Sequence, residues 1–482
     1  MGWFLYICAE RREDFIVFEH IKQKNKMTSN FELKGVWFLP HNKEKKIYGS
    51  LFYEQGKSSK LDLIGAFDEL SLGSKYEIIL GITSEGESIT LYECYVSNWN
   101  KISSEDYSSP TSEVITNYIL RGFHFENIDT MIFNRTSCEI FNLDEWIGVS
   151  GFFHEPTNIE KLRNGERVIQ YKLPVLPKFK IDNTCTGQFK YSVNNIGWYR
   201  FQKSVTLNQN VEFELDFKDE KRFNKILFYI IRFQNFLILA LNEATSIKSI
   251  NLFREEENST PIRVFLTNSL IQNSRKVKFD MQMLFDYQRI NEDFPTIIQN
   301  WYSKYDILES SLDLIFDQFY KGNNFSENTF LNLAQAAETF HARLHNHTKI
   351  PKQEYKEMQS EILRLTPEKY HYWLNDQFNF GNGLNLQTRL TELCEKYSNK
   401  VLDELIGDKE LFTKQVKHSR NYYTHYSPSS KKNALKGYDL YVLSEKLKAI
   451  LISAILIEIG FDDKKLEEYY SNVKWLFFNH II

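Results

Sequence analysis

The alternation of apolar and polar positions divides this chain in two. Val211-Glu212-Phe213-Glu214-Leu215-Asp216-Phe217 switches between apolar and acidic residues at every step, the period of a strand with one buried face. Gln188 to Val193 alternates in the same way. Tyr76 to Ile82 and Ser88 to Val96 flank the polar, glycine-containing turn Thr83-Ser84-Glu85-Gly86-Glu87, which predicts a hairpin. Tyr48 to Tyr53 and Ile262 to Leu266 are further predicted strands. After about Lys276 the period changes to three and four residues. Ile307, Leu308, Leu312, Ile315, Phe316 and Phe319 form one helical stripe. Phe330, Leu333, Ala334, Ala337 and Phe340 form a second, and Leu386, Leu390, Leu393 and Tyr397 a third. Asn323 to Glu327 reads as a turn and helix cap, Ser427-Pro428-Ser429-Ser430 as a helix stop, and Tyr441 to Ile459 as a long apolar helix closed by Gly460. The expected fold is α+β and multidomain, a β-rich N-terminal domain followed by an all-α helical bundle. The boundary falls near residues 270–285, giving domains over 27–275 and 281–482 and leaving 1–26 as an N-terminal extension.

Composition narrows the functional classes. A chain of 482 residues is too long for one ordinary core, which fits two or three domains. With 42% hydrophobic and 25% charged residues it belongs with globular proteins rather than disordered ones. The formal net charge of -4 provides no global positive field, so a nucleic-acid site has to be a local basic patch. The 5 cysteines are scattered and form no CxxC pair, which argues against a disulfide framework or cysteine zinc site and points to a reducing cytoplasm. Trp3 to Ala9 is apolar but far shorter than a membrane span. Ile226 to Leu241 is interrupted by Arg232, Gln234 and Asn235, so it reads as a buried helix and no membrane partner is expected. Neither GxxxxGK[ST] nor GxGxxG occurs, so no nucleotide cofactor is expected.

The chemistry concentrates at Arg420-Asn421-Tyr422-Tyr423-Thr424-His425, in the last turns of a helix predicted to begin near Asp408. Five helical residues separate Arg420 from His425 by about 140° around the axis and about 7.5 Å along it. One straight helix therefore cannot close both side chains on one small group. Two copies meeting across a two-fold axis can. His425 stands at the helix C-terminus, where the macrodipole favours a cation. Lys414, Lys417, Arg420, Lys431, Lys432 and Lys436 fall in a stretch without one acidic residue, interleaved with Tyr422, Tyr423 and Tyr426. Lysines that meet phosphates and tyrosines that stack on unpaired bases are how single-stranded RNA is held.

This arrangement resembles the RNxxxH signature of HEPN domains, a helical superfamily with many ribonucleases. The region from about 305 to 460 is similar to the ApeA-like HEPN branch, through Gln335-Ala336-Ala337-Glu338-Thr339-Phe340-His341 and Leu386-Gln387-Thr388-Arg389-Leu390. Gly35-Val36-Trp37-Phe38-Leu39-Pro40, Tyr48-Gly49-Ser50-Leu51, Leu61-Asp62-Leu63-Ile64-Gly65 and Leu143-Asp144-Glu145-Trp146 resemble, in order, the ApeA N-terminal domain. The resemblance begins only after Met27, which leaves Met1 and Met27 as rival starts. It implies a prokaryotic anti-phage protein that cleaves RNA, with tRNA among the candidate substrates, as a homodimer or higher oligomer. A phage-derived trigger would act at the N-terminal domain. It also implies metal-independent attack of a ribose 2′-OH on the neighbouring phosphate, giving a 2′,3′-cyclic phosphate and a 5′-OH. His425 would then move protons, Arg420 would bind the phosphate, and Asn421 would orient one of them or the substrate.

Glu338 is the expected partner of Arg420, since a partly buried guanidinium needs a carboxylate. Glu338, His341 and His345 also share one helical face, with His347 following, a spacing that can bind a divalent metal. Lacking the HExxH pattern, it is read as structural and no metal is expected. The rival functional reading is a non-catalytic HEPN module that binds RNA or a protein.

Overall fold

The computed structural model describes residues 30–68, 73–103, 108–153, 164–165, 169–194, 203–254, 260–267, 278–321, 325–345 and 347–472. Met1, Met27 and the 1–26 extension lie outside the described residues, as do Asn323 and Asn324. By contacts the chain forms two compact units: the residues up to 133 with 249–272, and 134–248 with 273 onward.

The first unit is built on six antiparallel strands: β1 (Asn30–Leu39), β2 (Asn42–Glu54), β3 (Ser59–Ile64), β4 (Lys75–Thr83), β5 (Ser88–Ser103) and β6 (Ser108–Arg121). They pair in the circular order β1-β2-β3-β6-β5-β4, and β4 returns to β1, so the sheet closes into a barrel without free edges. The predicted β4–β5 hairpin is present, with Ile82 opposite Ser88. Trp37 fills the interior together with Leu51, Leu61, Ile79, Leu91 and Val114. Its indole donates to the Gly49 carbonyl at 3.2 Å. A Cβ on Gly81 would lie 2.3 Å from the Trp37 ring, so only glycine lets the β4 backbone pass the indole.

The second unit opens with β7 (Ile132–Ile140) and α1 (Leu143–Ile147). The short β8 (Phe152–Phe153) and β9 (Gln170–Tyr171) pair with each other. β10 (Phe179–Lys180), β11 (Cys185–Val193) and β12 (Gln209–Arg222) then join β7 in the order β10-β11-β12-β7. The faultless alternation of β12 carries one surprise. Glu214 is buried although it lies on the acidic face with Glu212 and Asp216, and Lys190 of β11 reaches it at 2.9 Å to satisfy the carboxylate. α2 (Phe223–Leu241) follows and is buried along most of its length. It is long and apolar enough to cross a membrane, but most of it is packed inside the protein, where its two central amides find partners. Gln234 donates to the Thr245 carbonyl, and Asn235 bonds both Tyr305 and Tyr320. Trp146 of α1 is fully buried and meets Phe189, Phe233, Phe236, Tyr287 and Phe294 edge-on, which anchors this short helix through its tryptophan. β13 (Ile247–Phe253) leaves this unit for the first, where β14 (Ile262–Leu266) pairs with β6.

The remaining elements are helical, as the change of period predicts: α3 (Tyr287–Ile290), α4 (Phe294–Lys321), α5 (Glu327–Leu344), α6 (Lys352–Leu365), α7 (His371–Gly381), α8 (Leu386–Tyr397), α9 (Lys400–Ile406), α10 (Lys409–His425), α11 (Gly437–Glu458) and α12 (Asp463–Asn472). The expected fold class is the observed one: a β-rich N-terminal region containing the barrel, then a helical bundle. The second and third sequence stripes are buried throughout, and in the first only Ile307 faces solvent. Each of α5, α8, α9 and α10 begins on a side-chain cap, from Ser326, Asn385, Asn399 and Asp408 respectively.

Candidate active site

α10 is amphipathic. Phe412, Thr413, Val416, Ser419 and Tyr423 are buried, at the three- and four-residue spacing that seats a helix in a bundle. Asp408 caps its start by accepting from the Leu411 N–H at 3.0 Å. It ends at His425 because Tyr426 turns left-handed, with φ 50° and ψ 29°, and returns its N–H to the Tyr422 carbonyl. His425 therefore sits in the final turn and is exposed. Among the described residues it has no hydrogen-bond partner, leaving both ring nitrogens free to exchange protons.

Arg420 lies on the flank of the helix. Its Nη2 is 3.5 Å from Glu338 Oε2 on α5, with both side chains more than one-third exposed. One turn earlier on the same flank, Lys417 donates to Gln387 of α8 at 3.4 Å. Asn421 is half-buried between this flank and the outward ridge. His418, outside the RNxxxH signature, precedes His425 by seven residues and so stands within about 20° of it on the helix. That spacing was the signal for it. A second, half-buried imidazole thus lies along the same ridge.

The lysine-rich loop after α10 is fastened to the helix at one residue. The Leu435 N–H donates to Ser419 Oγ at 3.1 Å, and the Tyr423 hydroxyl donates to the Leu435 carbonyl at 3.0 Å. Tyr423, expected to contact RNA, is 6% exposed and leaves no face for a base, so its ring and hydroxyl hold the loop instead. Burial pushes its phenol pKa up. Tyr422 and Tyr426 remain available: their rings touch at 5.4 Å, Lys436 stands 5.8 Å above the Tyr422 ring, and Tyr426 is 62% exposed. Lys431 and Lys432 occupy an exposed turn, whereas Lys414 is paired at the surface with Glu410 at 2.6 Å.

Glu338, His341 and His345 do not converge. Glu338 turns to Arg420, while the His345 ring meets the Tyr397 hydroxyl at 2.8 Å. The structure instead groups His341, His347 and Glu392, whose ligand atoms lie within 4.8 Å of one another. Hydrogen bonding fixes what this group can hold. Arg389 donates to His341 Nδ1 at 3.1 Å, and since a guanidinium cannot accept, the His341 proton is on Nε2, pointing at Glu392 2.6 Å away. A metal would have to expel that proton and sit beside an imidazole already shared with a guanidinium. The donor set does not fit a resident cation, and the cluster serves to pin α5 to α8. Burial, opposed by the Glu392 hydrogen bond, holds the His341 pKa below its ordinary value. Burial likewise lowers His345. Beyond it, burial would raise Glu458, but hydrogen bonds from Tyr397 and Lys304 outweigh it and hold the carboxyl down at about 2.

Residues 32–301 match the model of ApeA N-terminal domain 1, which covers more than half of the chain. The chain belongs to the ApeA family. Residues 331–465 match the Apea-like HEPN domain, a span that contains Glu338, the His341 cluster and the whole of α10. No significant match was found among curated proteins or solved structures. An ApeA N-terminal domain joined to an Apea-like HEPN domain marks an anti-phage HEPN effector. HEPN domains generally bind RNA and often dimerise.

Proposed function

We propose that the HEPN domain cleaves RNA without a metal, in a cleft completed by a second copy of the chain. The observation that carries this reading is the placement of His425 and Arg420. Among the described residues the imidazole has no partner and stands exposed at the end of α10, the guanidinium is braced by Glu338 on the flank, and lysines and the rings of Tyr422 and Tyr426 surround both. The 2′-oxygen of a ribose forms a bond to the adjacent phosphorus while the bond from phosphorus to the 5′-oxygen breaks. The 2′-OH proton leaves to a base and the departing 5′-oxygen gains one from an acid, leaving a 2′,3′-cyclic phosphate and a 5′-OH. His425 is a group for those proton movements, Arg420 offsets charge growing on the phosphoryl oxygens, and Asn421 positions the phosphate or the imidazole. Glu338 is a positioning residue acting through Arg420. Lys417, Lys431, Lys432, Tyr422 and Tyr426 hold the flanking strand.

The barrel unit is the proposed sensor of an infection-derived trigger. Its outer surface carries a depression of about 380 Å³, lined by Ser50, Phe52, Asp62, Asn98, Asn100 and Glu113, a mixture of amides, carboxylates and an aromatic ring suited to a polar ligand.

The test is end-group analysis of RNA incubated with purified protein in EDTA. The expected result is cyclic phosphate and 5′-OH ends that vanish with His425→Ala or Arg420→Ala, each folded as wild type. RNA binding without cutting would instead make the domain a binding module, and ends independent of His425 would remove it from the chemistry.

A further inference from the structure

Helices α6 and α7 form a hairpin inserted between α5 and α8, and neither contains a buried residue. The pair is nonetheless well made. The Tyr355 hydroxyl donates to the Phe378 carbonyl at 2.9 Å with the two rings edge-on. The root is fixed by Asn382, itself buried, whose side chain accepts from the Ile350 N–H at 3.0 Å and donates to the Ile350 carbonyl at 2.9 Å. A rigid root and an unburied body suggest an element built to be covered by something else. Met358 and Leu365 share one face of α6, seven residues apart, and Trp373 and Phe380 share one of α7. Leu365 is 73% exposed, Trp373 61% and Phe380 81%, with Tyr372 beside them at 91%. Single exposed apolar residues are ordinary, but this concentration in one hairpin is not. Five residues beyond Asn382 is Gln387, which accepts from Lys417 of α10, so the hairpin springs from beside the Arg420 flank.

We propose that the hairpin is a clasp that holds a second copy of the chain and thereby closes the cleft that Arg420 and His425 leave half built. The inference rests on the two-copy reading of the site given above. Counting about 200 Å² for a fully exposed large side chain, Met358, Leu365, Tyr370, Tyr372, Trp373 and Phe380 together present roughly 800 Å². That is about what each partner of a stable complex buries, ~800 Å². Charge selects the kind of partner. The hairpin carries Glu354, Glu357, Glu361, Glu368 and Asp376 against Lys352, Lys356, Arg364 and Lys369. Five acidic against four basic groups offer no basic field for a phosphate backbone. Interleaved charges of both signs suit a self-complementary contact in which each patch meets its own copy across a two-fold axis.

The experiment compares the full chain with a Leu365→Glu/Trp373→Glu double variant by sedimentation velocity over a concentration series. Thermal unfolding serves as the fold control, and RNA cleavage is followed at the same concentrations. Wild type is expected to dimerise. The double variant is expected to unfold at the wild-type temperature but associate at least ~100-fold more weakly, losing cleavage where it is monomeric and regaining it as concentration rises. An unchanged dimerisation constant would overturn the proposal. So would a wild type that stays monomeric throughout, or a variant that keeps its dimer and loses RNA affinity, which would place RNA on the hairpin. His425→Ala should dimerise like wild type. If wild type dimerises through the hairpin yet never cuts RNA, the clasp stands and the nuclease reading falls.

Discussion

Replacing Glu338 with Gln separates a structural contact from a functional one. The carboxylate stands 3.5 Å from the Arg420 guanidinium, at the edge of hydrogen-bond reach, with the side chains 38% and 36% exposed. An ion pair this open to water contributes only about 0–1 kcal/mol to stability. Glu338→Gln should therefore move the unfolding temperature by no more than about 4 °C, given that 1 kcal/mol corresponds to ~2–4 °C for a unit of this size. The functional effect should be larger. Arg420 is a long side chain on the flank of α10, and Glu338 is the group that keeps it there. If losing the carboxylate lets the productive rotamer fall to about one-tenth of the population, single-turnover cleavage falls about tenfold, the equivalent of ~1.4 kcal/mol in the barrier. The assay is single-turnover cleavage of a labelled RNA at saturating protein, alongside a thermal melt. A variant that melts and cuts like wild type would remove Glu338 from the site. Faster cutting would refute the argument equally, since it would mean that Glu338 masks Arg420 from the phosphate.

Three further outcomes follow from named contacts. His341 and His345 have pKa values held down by burial, so the unfolded chain takes up their protons more readily than the folded one, and stability present above the unfolded value is lost as pH falls. Unfolding temperatures should decline below about pH 6.5, and His341→Gln should flatten that part of the profile; an unchanged slope would count against the cluster as its source. Tyr423→Phe removes the hydroxyl that holds the Leu435 carbonyl and should cost about 1 kcal/mol in urea unfolding. It should also quicken proteolysis of the loop carrying Lys431 and Lys432 while sparing the helix. Gly81→Ala places a Cβ 2.3 Å from the Trp37 ring and should destabilise the barrel unit by about 1–3 kcal/mol, read from Trp fluorescence during unfolding.

What the sequence disclosed follows from where a side chain's environment is decided. A strand or helix packed on one side writes its period into the chain, so β12, the β4–β5 hairpin and the stripes of α4, α5 and α8 could be read directly. The limits of α10 were legible for the same reason: Asp408 is a cap, and Ser427-Pro428 cannot continue a helix. The hairpin of α6 and α7 carries such a stripe too, Tyr355, Met358, Ile362 and Leu365 recurring at three- and four-residue spacing, yet Met358 and Leu365 face solvent: the period marks a face, not what covers it. Closure of the barrel was equally invisible, because the β1–β4 pairing joins distant segments and no local pattern encodes it. Tyr423 shows the limit at a single residue. Its neighbour Tyr422 is half-buried and Tyr426, just past the helix, is exposed, while the angle around α10 turns Tyr423 into the bundle.

That angle also bears on the proposal that each chain carries half of the cleft. The buried stripe from Phe412 to Tyr423 fixes the rotation of α10 in the bundle and leaves no freedom to turn Arg420 and His425 toward one another. Arg420 is committed to the α5 side by Glu338, and His425 to the open ridge it shares with His418. A bend that brought them together would have to break the helix between residues 420 and 425. Yet Thr424 bonds the Arg420 carbonyl at 2.8 Å and Tyr426 returns its N–H to Tyr422, so that last turn is tightened rather than loosened. The geometry therefore favours supplying the missing half from outside the chain over rearranging it from within.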